Sequence, residues 1–139
     1  MIAVDTNVVS ELMRLQPEPT VLRWAAALDD VDLAVPAVVA AELLRGLSRL
    51  PVGAKRTRLE SALAAFFTRL RDGRILTLDA RGAVEYAHVM TDRDRAGGPM
   101  STMDALIAAT CRSHGAALAT RNTMDFVGCG LRVIDPWRG

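Results

Sequence analysis

Acidic or amide side chains interrupt apolar stretches at four widely separated points of this sequence. They are Asp5, Glu42, Asp104, and the pair Asn122 and Asp125. Burying an acid among apolar groups is costly unless a cation or hydrogen bonds stabilise it. Carboxylate and amide oxygens, completed by water, are the ligands of hard cations such as Mg²⁺ and Mn²⁺. If the fold brings the four positions together, they predict a divalent metal site.

Acids around one or two hard cations can hydrolyse a phosphodiester bond. The metal lowers the pKa of a bound water and stabilises charge on the attacking and leaving oxygens, and one acid can serve as a general base. The two histidines, His88 and His114, lack the spacing of metal ligands, which disfavours zinc. The pattern therefore favours a metal-dependent nuclease.

Each acid also has a structural explanation. Asp5 can cap the helix that follows it, because Asp is a preferred N-cap residue. Glu42 can form an ordinary helix ion pair with Arg45, and Asp104 follows Ser101 at the spacing of a capping box. The polar cluster after the fourth strand can be turn chemistry. At this point both interpretations remain open for every position.

The elements that must position these acids alternate along the chain. Short apolar runs predict strands at residues 2–4, 33–35, 75–78, 116–119 and 131–134, with helices between them. Helix boundaries are predicted at Thr20 or its neighbour, Asp79, Ser101 and Gly115. Fully apolar strands alternating with helices indicate an α/β fold whose parallel sheet is covered on both faces. Asp5 would then lie at the carboxyl end of a central strand, where such sheets bind ligands.

Composition sets the remaining limits. The chain has 139 residues, 50% of them hydrophobic, and a net charge of +1, so we expect one domain spanning residues 1–139. Cys111 and Cys129 are too few for a disulfide framework and predict reduced thiols in a cytoplasmic protein. No basic n-region precedes the first strand and no apolar run approaches 18 residues, so we expect neither a signal peptide nor a membrane span. Aromatic residues make up only 4%, which argues against a base-stacking platform.

Basic residues are nearly all arginine, and Lys55 is the only lysine among 17 of them. Arginine suits phosphate, although a GC-rich coding bias also enriches it. A cluster in the middle of the chain either lines a phosphate-binding surface or forms a solvated helix face. Its members are Arg56, Arg58, Arg69, Arg71 and Arg74.

Four ordered motifs match a known family. They are Val4-Asp5-Thr6-Asn7-Val8-Val9-Ser10-Glu11-Leu12, Ala41-Glu42-Leu43-Leu44-Arg45-Gly46, residues 103–110 and residues 119–126, with Val133-Ile134-Asp135-Pro136-Trp137 at the end. Through these motifs the chain resembles the PIN-domain ribonucleases of bacterial toxin–antitoxin systems, the VapC type, and in particular the branch that includes FitB. The resemblance covers nearly the whole chain.

The resemblance implies a three-layer α/β/α PIN-like domain with a five-stranded parallel sheet and Mg²⁺- or Mn²⁺-dependent endoribonuclease activity. Asp5, Glu42 and Asp104 match the metal-binding acids of the family. For the fourth position we expect Asp125 to be the more useful carboxylate and Asn122 to be a neutral or water-mediated contact.

Supporting residues and partners are also implied by the resemblance. Thr6 and Thr120 match hydroxyl positions beside the family's site, and Asn7 extends the same polar cluster. Members of the family act on RNA, usually dimerise, and are silenced by a small DNA-binding antitoxin whose tail enters the active-site groove. An arginine of that tail often reaches the acids.

Two other functions are compatible with parts of the pattern. A phosphatase of the haloacid dehalogenase type also places Asp after its first strand, but it requires a second Asp two residues later, where this chain has Asn7. It also requires a suitably placed lysine, whereas Lys55 lies in an arginine-rich turn. The other rival is a catalytically degenerate PIN-like domain that only binds RNA or a partner. The neutral Asn122 keeps that alternative open.

Overall fold

A computed structural model describes residues 1–70 and 74–139 of the chain; Arg71 of the arginine cluster lies outside them. The strands are β1 (Ile2–Val4), β2 (Leu33–Pro36), β3 (Ile75–Leu76), β4 (Ala117–Ala119) and β5 (Val133–Ile134). The helices are α1 (Thr6–Leu12), α2 (Pro19–Ala26), α3 (Ala37–Ser48), α4 (Ala54–Arg69), α5 (Ala80–Arg95) and α6 (Thr102–His114), with a 3₁₀ turn at Thr123–Phe126.

The five strands form one parallel sheet in the order β3-β2-β1-β4-β5. The chain moves outward from β1 to β2 and β3, then crosses to β4 and β5 on the other side. All four residues of β2 are buried, so both faces of the sheet are covered by helices. The predicted α/β fold with a covered, five-stranded parallel sheet is confirmed.

The pairing of β1 with β4 determines what lies at the carboxyl edge of the sheet. Val4 lies opposite Ala119, and the Asp5 amide donates to the Ala119 carbonyl at 3.0 Å. The next residues, Asp5 and Thr120, therefore leave the sheet side by side. The chain reverses its direction of strand addition between β1 and β4, which makes this edge the switch point where open α/β sheets bind ligands.

Local sequence explains most helix boundaries. The Asp79 and Ser101 side chains cap α5 and α6 by accepting from backbone amides, and Gly115 ends α6 with a left-handed φ of +66°. Those three predictions are confirmed. The cap predicted at Thr20 or its neighbour is wrong, because the N-cap position is Glu18, without a side-chain cap, and α2 begins at Pro19. Proline suits that position, since its fixed φ is helical and its missing N–H would have no partner there.

The core lies between the sheet and the helices. Helix α4 contributes Leu63 and Phe66, both buried, to this core. Cys111 and Cys129 are buried free thiols, and burial raises the pKa of Cys111 to about 12. Among the described residues, no helix is both long and apolar enough to cross a membrane.

Candidate active site

Asp5 is the most constrained acid of the site. It is 6% exposed and occupies the N-cap of α1, where one carboxylate oxygen, Oδ1, accepts a 2.7 Å hydrogen bond from the Thr6 amide. The other oxygen, Oδ2, accepts from Thr120 Oγ1 at 2.8 Å and from Asn7 Nδ2 at 3.3 Å. The capping role foreseen from the sequence is therefore real, and the same bonds hold the carboxylate in one orientation.

The side chains around Asp5 bond to one another as well. Asn7 Nδ2 also donates to Thr120 Oγ1 at 3.2 Å, and Asn7 Oδ1 accepts from the Arg121 amide at 3.1 Å. Thr120 Oγ1 further accepts from the Asn122 amide at 3.1 Å. This network joins the start of α1 to the loop after β4, so the supporting positions predicted from the sequence contact Asp5 or its neighbours.

Glu42 reaches the same region from α3. Its Oε1 accepts a 3.2 Å hydrogen bond from Thr6 Oγ1. Among the ion pairs of the described residues none joins Glu42 to Arg45, so that alternative is wrong. Burial raises the pKa of Glu42; the Thr6 bond opposes this, and the charges of Asp5 and Asp104 raise it further.

Asp104 lies in the first turn of α6, where its amide donates to Ser101 Oγ at 3.1 Å. The pKa of Asp104 is raised, mainly by burial and further by the charges of Asp125 and Asp5. The Ser101 hydroxyl and the charge of Arg93 partly oppose this rise. The charge of Asp5 therefore raises the pKa of both Glu42 and Asp104, and the charge of Asp104 raises that of Glu42.

One cavity of about 330 Å³ collects these groups at the switch point. Its lining comprises Asp5, Thr6, Asn7, Glu42, Met103, Asp104, Ile107 and Asn122. We call it the acid pocket. Side chains from four separate parts of the chain therefore line one pocket, and the fourth of these positions is represented by Asn122. Asp125 is outside this lining and exposed in the 3₁₀ turn, and its charge acts on the pocket through the pKa of Asp104.

The donor set of the acid pocket suits an open hard-cation site. Within residues 1–70 and 74–139, no three His, Cys, Asp or Glu side chains are placed so that they alone could hold a metal ion. Mg²⁺ does not require such a cage, because it keeps several waters and is usually bound by one or two carboxylates with substrate phosphate. The carboxylates and the Asn122 amide fit that mode. A closed zinc site, which needs four protein ligands of mainly His or Cys type, does not fit.

Arg93 is the residue that the sequence did not single out. Its guanidinium donates to the carbonyls of Gly98, Asp125 and Val127 at 2.7, 2.8 and 3.1 Å. These bonds fix the segment that carries Asp125. The positive charge of Arg93 also partly opposes the rise in the pKa of Asp104 that burial causes. A second arginine, Arg121, lies 5.1 Å from the ring centroid of Trp137 and holds the C-terminal segment beside the site.

The PIN-domain family profile matches residues 2–126. The chain is 37% identical to the VapC ribonuclease Y4jK of Sinorhizobium fredii, covering 99% of this chain and 98% of the relative. It is 36% identical to Toxin FitB of Neisseria gonorrhoeae, covering 99% of each. The crystal structure of FitAcB from Neisseria gonorrhoeae superposes with a TM-score of 0.92 at 35% identity over 100% of both chains. The chain therefore belongs to the PIN-domain family, among relatives that include VapC and FitB proteins.

Proposed function

We propose that this protein is a Mg²⁺- or Mn²⁺-dependent endoribonuclease that hydrolyses RNA phosphodiester bonds as the toxin of a VapBC-type toxin–antitoxin system. The observation that carries the proposal is the meeting of Asp5, Glu42 and Asp104 in one pocket at the switch point. Similarity to proteins named VapC ribonuclease and Toxin FitB supports it. RNA is the substrate and the cytoplasm the proposed location.

The surroundings of the three acids suggest roles for them in metal binding and proton transfer. Asp5 has donors on both oxygens and is fixed before any ligand arrives, so it would serve as a metal ligand. Glu42 and Asp104 would complete the ligand set. When bound, the cation would supply an activated water and stabilise charge on the phosphate oxygens. One of the acids would accept a proton from that water as the general base.

Neighbouring side chains would keep the acids in place. Thr6 connects the first two acids, since its amide donates to Asp5 and its hydroxyl to Glu42. Asn7 and Thr120 hold the second oxygen of Asp5. We further propose Asp125 as the fourth carboxylate, acting through its charge, and Asn122 as a neutral contact within the pocket.

The partners follow from the proposed activity. A toxin that cuts the RNA of its own cell requires an inhibitor, and we propose a small DNA-binding antitoxin that covers the acid pocket. Likeness to Toxin FitB and to the FitAcB structure supports this assignment. We also propose that the protein forms a homodimer and that residues 1–139 make up one domain.

Cleavage of a structured RNA by the purified protein tests the proposal. We expect cleavage with Mg²⁺ or Mn²⁺ and none with EDTA. Asp5→Asn and Asp104→Asn should each lower the rate by about 10²- to 10⁴-fold. Asp32→Asn is the matched control, because Asp32 is an exposed acid before β2 at the opposite edge of the sheet.

Two results would contradict the proposal. Cleavage that persists in EDTA, or in both site variants, would remove the assigned acids from the reaction. RNA binding without cleavage under any divalent metal would instead favour the catalytically degenerate domain, in which the neutral Asn122 marks a lost ligand.

A further inference from the structure

Two more depressions continue the acid pocket in one direction. The first, about 230 Å³ in volume, shares Thr6 and Glu42 with the acid pocket and passes beside Gly46. The second, about 820 Å³, adjoins the first. The two have in common Ser10, Met13, Lys55 and Leu59. Together they form one groove between α1, α3 and α4, with the acids at one end.

The far end of the groove is basic. Arg14, Lys55 and Arg58 line it, and no acid is among its lining residues. Arg14 is paired with the buried Glu11 at 3.1 Å, whereas Arg58 donates to a neutral group, the Met13 carbonyl. Lys55 forms no ion pair with any residue that the structure describes. The charges of Lys55 and Arg58 are therefore free to meet an anion.

The surroundings of this basic end increase its positive potential. Lys55 is in the first turn of α4, which has no acidic residue and no capping side chain at Gly53. Cations at the positive end of a helix dipole are unfavourable unless an anion offsets them. Between the two charged ends the groove is apolar, with side chains of Leu43, Leu47, Leu50, Leu59 and Leu63.

We propose that this groove binds the RNA strand, with Lys55 and Arg58 holding a backbone phosphate at a distance from the scissile one and the leucines contacting the intervening ribose and base. The proposal rests on the proposed function. RNA fits better than a polypeptide because it offers a phosphate at every nucleotide, so that any register places an anion at the basic end. A peptide would need an acidic residue at one particular position.

The salt dependence of RNA binding tests the role of Lys55. The probe is a fluorescein-labelled single-stranded RNA of about 12 nucleotides, titrated in EDTA so that it is not cut. Lys55→Gln should lower the slope of log Kd against log salt concentration by about 0.7, the value for one phosphate contact on a single strand. Between 50 and 200 mM salt the wild type would then lose roughly 2.6-fold more affinity than the variant.

Arg81→Gln is the matched control for this measurement. Arg81 is an exposed cation in the first turn of α5. That turn follows Thr77, whose carbonyl contacts His114 at the C-terminal end of α6, whereas Asp104 is in the first turn of the same helix. We expect the slope of the Arg81 variant to equal that of the wild type. Equal slopes for Lys55→Gln and the wild type would overturn the proposal.

Gly46 provides a second test that does not involve charge. A Cβ added at Gly46 would meet no atom within 4 Å, and the residue lies in helical backbone beside the middle of the groove. Gly46→Leu should fill the groove and weaken binding of the labelled RNA at least tenfold. Gly46→Ala should bind RNA as the wild type does. Both should bind Mn²⁺ in calorimetric titrations with wild-type affinity, because the acid pocket is unchanged.

The outcomes separate this proposal from the function on which it rests. If the wild type binds Mn²⁺ and cuts RNA while Gly46→Leu keeps full RNA affinity, the strand follows another path and only the groove proposal fails. If Gly46→Leu blocks a protein partner but not RNA, the groove is a protein site, which also overturns it. If the wild type neither binds Mn²⁺ nor cuts RNA, the proposed function itself is wrong.

Discussion

The hydroxyl of Thr120 donates a 2.8 Å hydrogen bond to Oδ2 of Asp5, across 115 residues of sequence. Both residues are buried. The same hydroxyl oxygen accepts from the Asn7 side chain and the Asn122 amide. One side chain at the end of β4 therefore fixes the orientation of the acid at the end of β1.

Replacement of Thr120 by valine should affect both stability and activity. Valine has the same shape but no hydroxyl, so Asp5 loses a donor and two N–H groups lose an acceptor. We expect the free energy of unfolding to fall by about 1–3 kcal/mol, as measured by urea denaturation, with slower RNA cleavage. Thr120→Ser should retain most of both. A valine variant as stable as the wild type would show that these bonds contribute nothing.

Asp5→Asn and Asp104→Asn should differ in stability although both abolish cleavage. Asn remains a good N-cap for α1. However, an NH₂ group would replace Oδ2 of Asp5, so that the donors of Asn7 and Thr120 would face another donor and lose their acceptor. We expect Asp5→Asn to lose about 1–3 kcal/mol, which lowers the melting temperature by several degrees.

In Asp104→Asn no such conflict arises, and one member of a group of mutually repelling carboxylates becomes neutral. Its melting temperature without metal should equal or exceed that of the wild type. Calorimetry on both variants measures the difference. Equal losses in the two would contradict the assigned hydrogen bonds of Asp5.

Glu42→Gln should be at least as stable as the wild type in EDTA at neutral pH. The pKa of Glu42 is raised in the folded protein. Below the ordinary carboxyl pKa of about 4, the acid is protonated in both the folded and the unfolded state and does not destabilise the fold. As the pH rises through the raised pKa, the acid ionises in the folded protein and the free energy of unfolding falls. Glutamine removes that loss and keeps an acceptor for Thr6. Thermal melts from pH 4 to 8 should therefore show a smaller decline for the variant.

With magnesium the wild type should be more stable than Glu42→Gln. A bound cation stabilises the ionised Glu42 of the wild type, whereas the variant lacks this carboxylate ligand. Melts repeated with Mg²⁺ measure the effect. A Glu42→Gln protein that melts well below the metal-free wild type would mean that Glu42 has a structural role instead.

Asp125→Asn tests the fourth carboxylate. The charge of Asp125 acts on Asp104, while its carbonyl, which accepts from Arg93, is unaffected by the change. We expect Mn²⁺ affinity to fall by about 10- to 100-fold, as for other groups that support metal ligands, with unchanged stability. Asp94→Asn, at an exposed acid on α5, is the control. Wild-type Mn²⁺ affinity in Asp125→Asn would assign the contact to Asn122.

Local signals in the sequence were sufficient for most of the fold. Apolar runs predicted all five strands to within about two residues, because the strands of a parallel sheet covered on both faces are rich in apolar residues. Asp79, Ser101 and Gly115 mark helix ends through bonds to their own neighbours. At Thr20 the prediction failed because the hydroxyl suggested a cap, whereas the adjacent proline already satisfies the geometry of the first turn.

Long-range partners were harder to predict. Glu42 bonds to Thr6 rather than to Arg45, and no local pattern distinguishes the two. Arg93 was missed because its acceptors are backbone carbonyls, which every residue possesses and which leave no trace in side-chain spacing. The acid pocket could be anticipated because acids interrupt apolar stretches at several positions, although each acid also had a local explanation.

The sheet order has a consequence for synthesis. β1 is synthesised first, yet it is the central strand of the sheet and one of its edges stays unpaired until β4 has been synthesised. Until residue 120 has left the ribosome, the emerging chain lacks the hydroxyl that orients Asp5, and until residue 104 is made it lacks the third acid. On the proposed function, an intermediate that ends before these residues would lack the assembled pocket and would not cleave RNA.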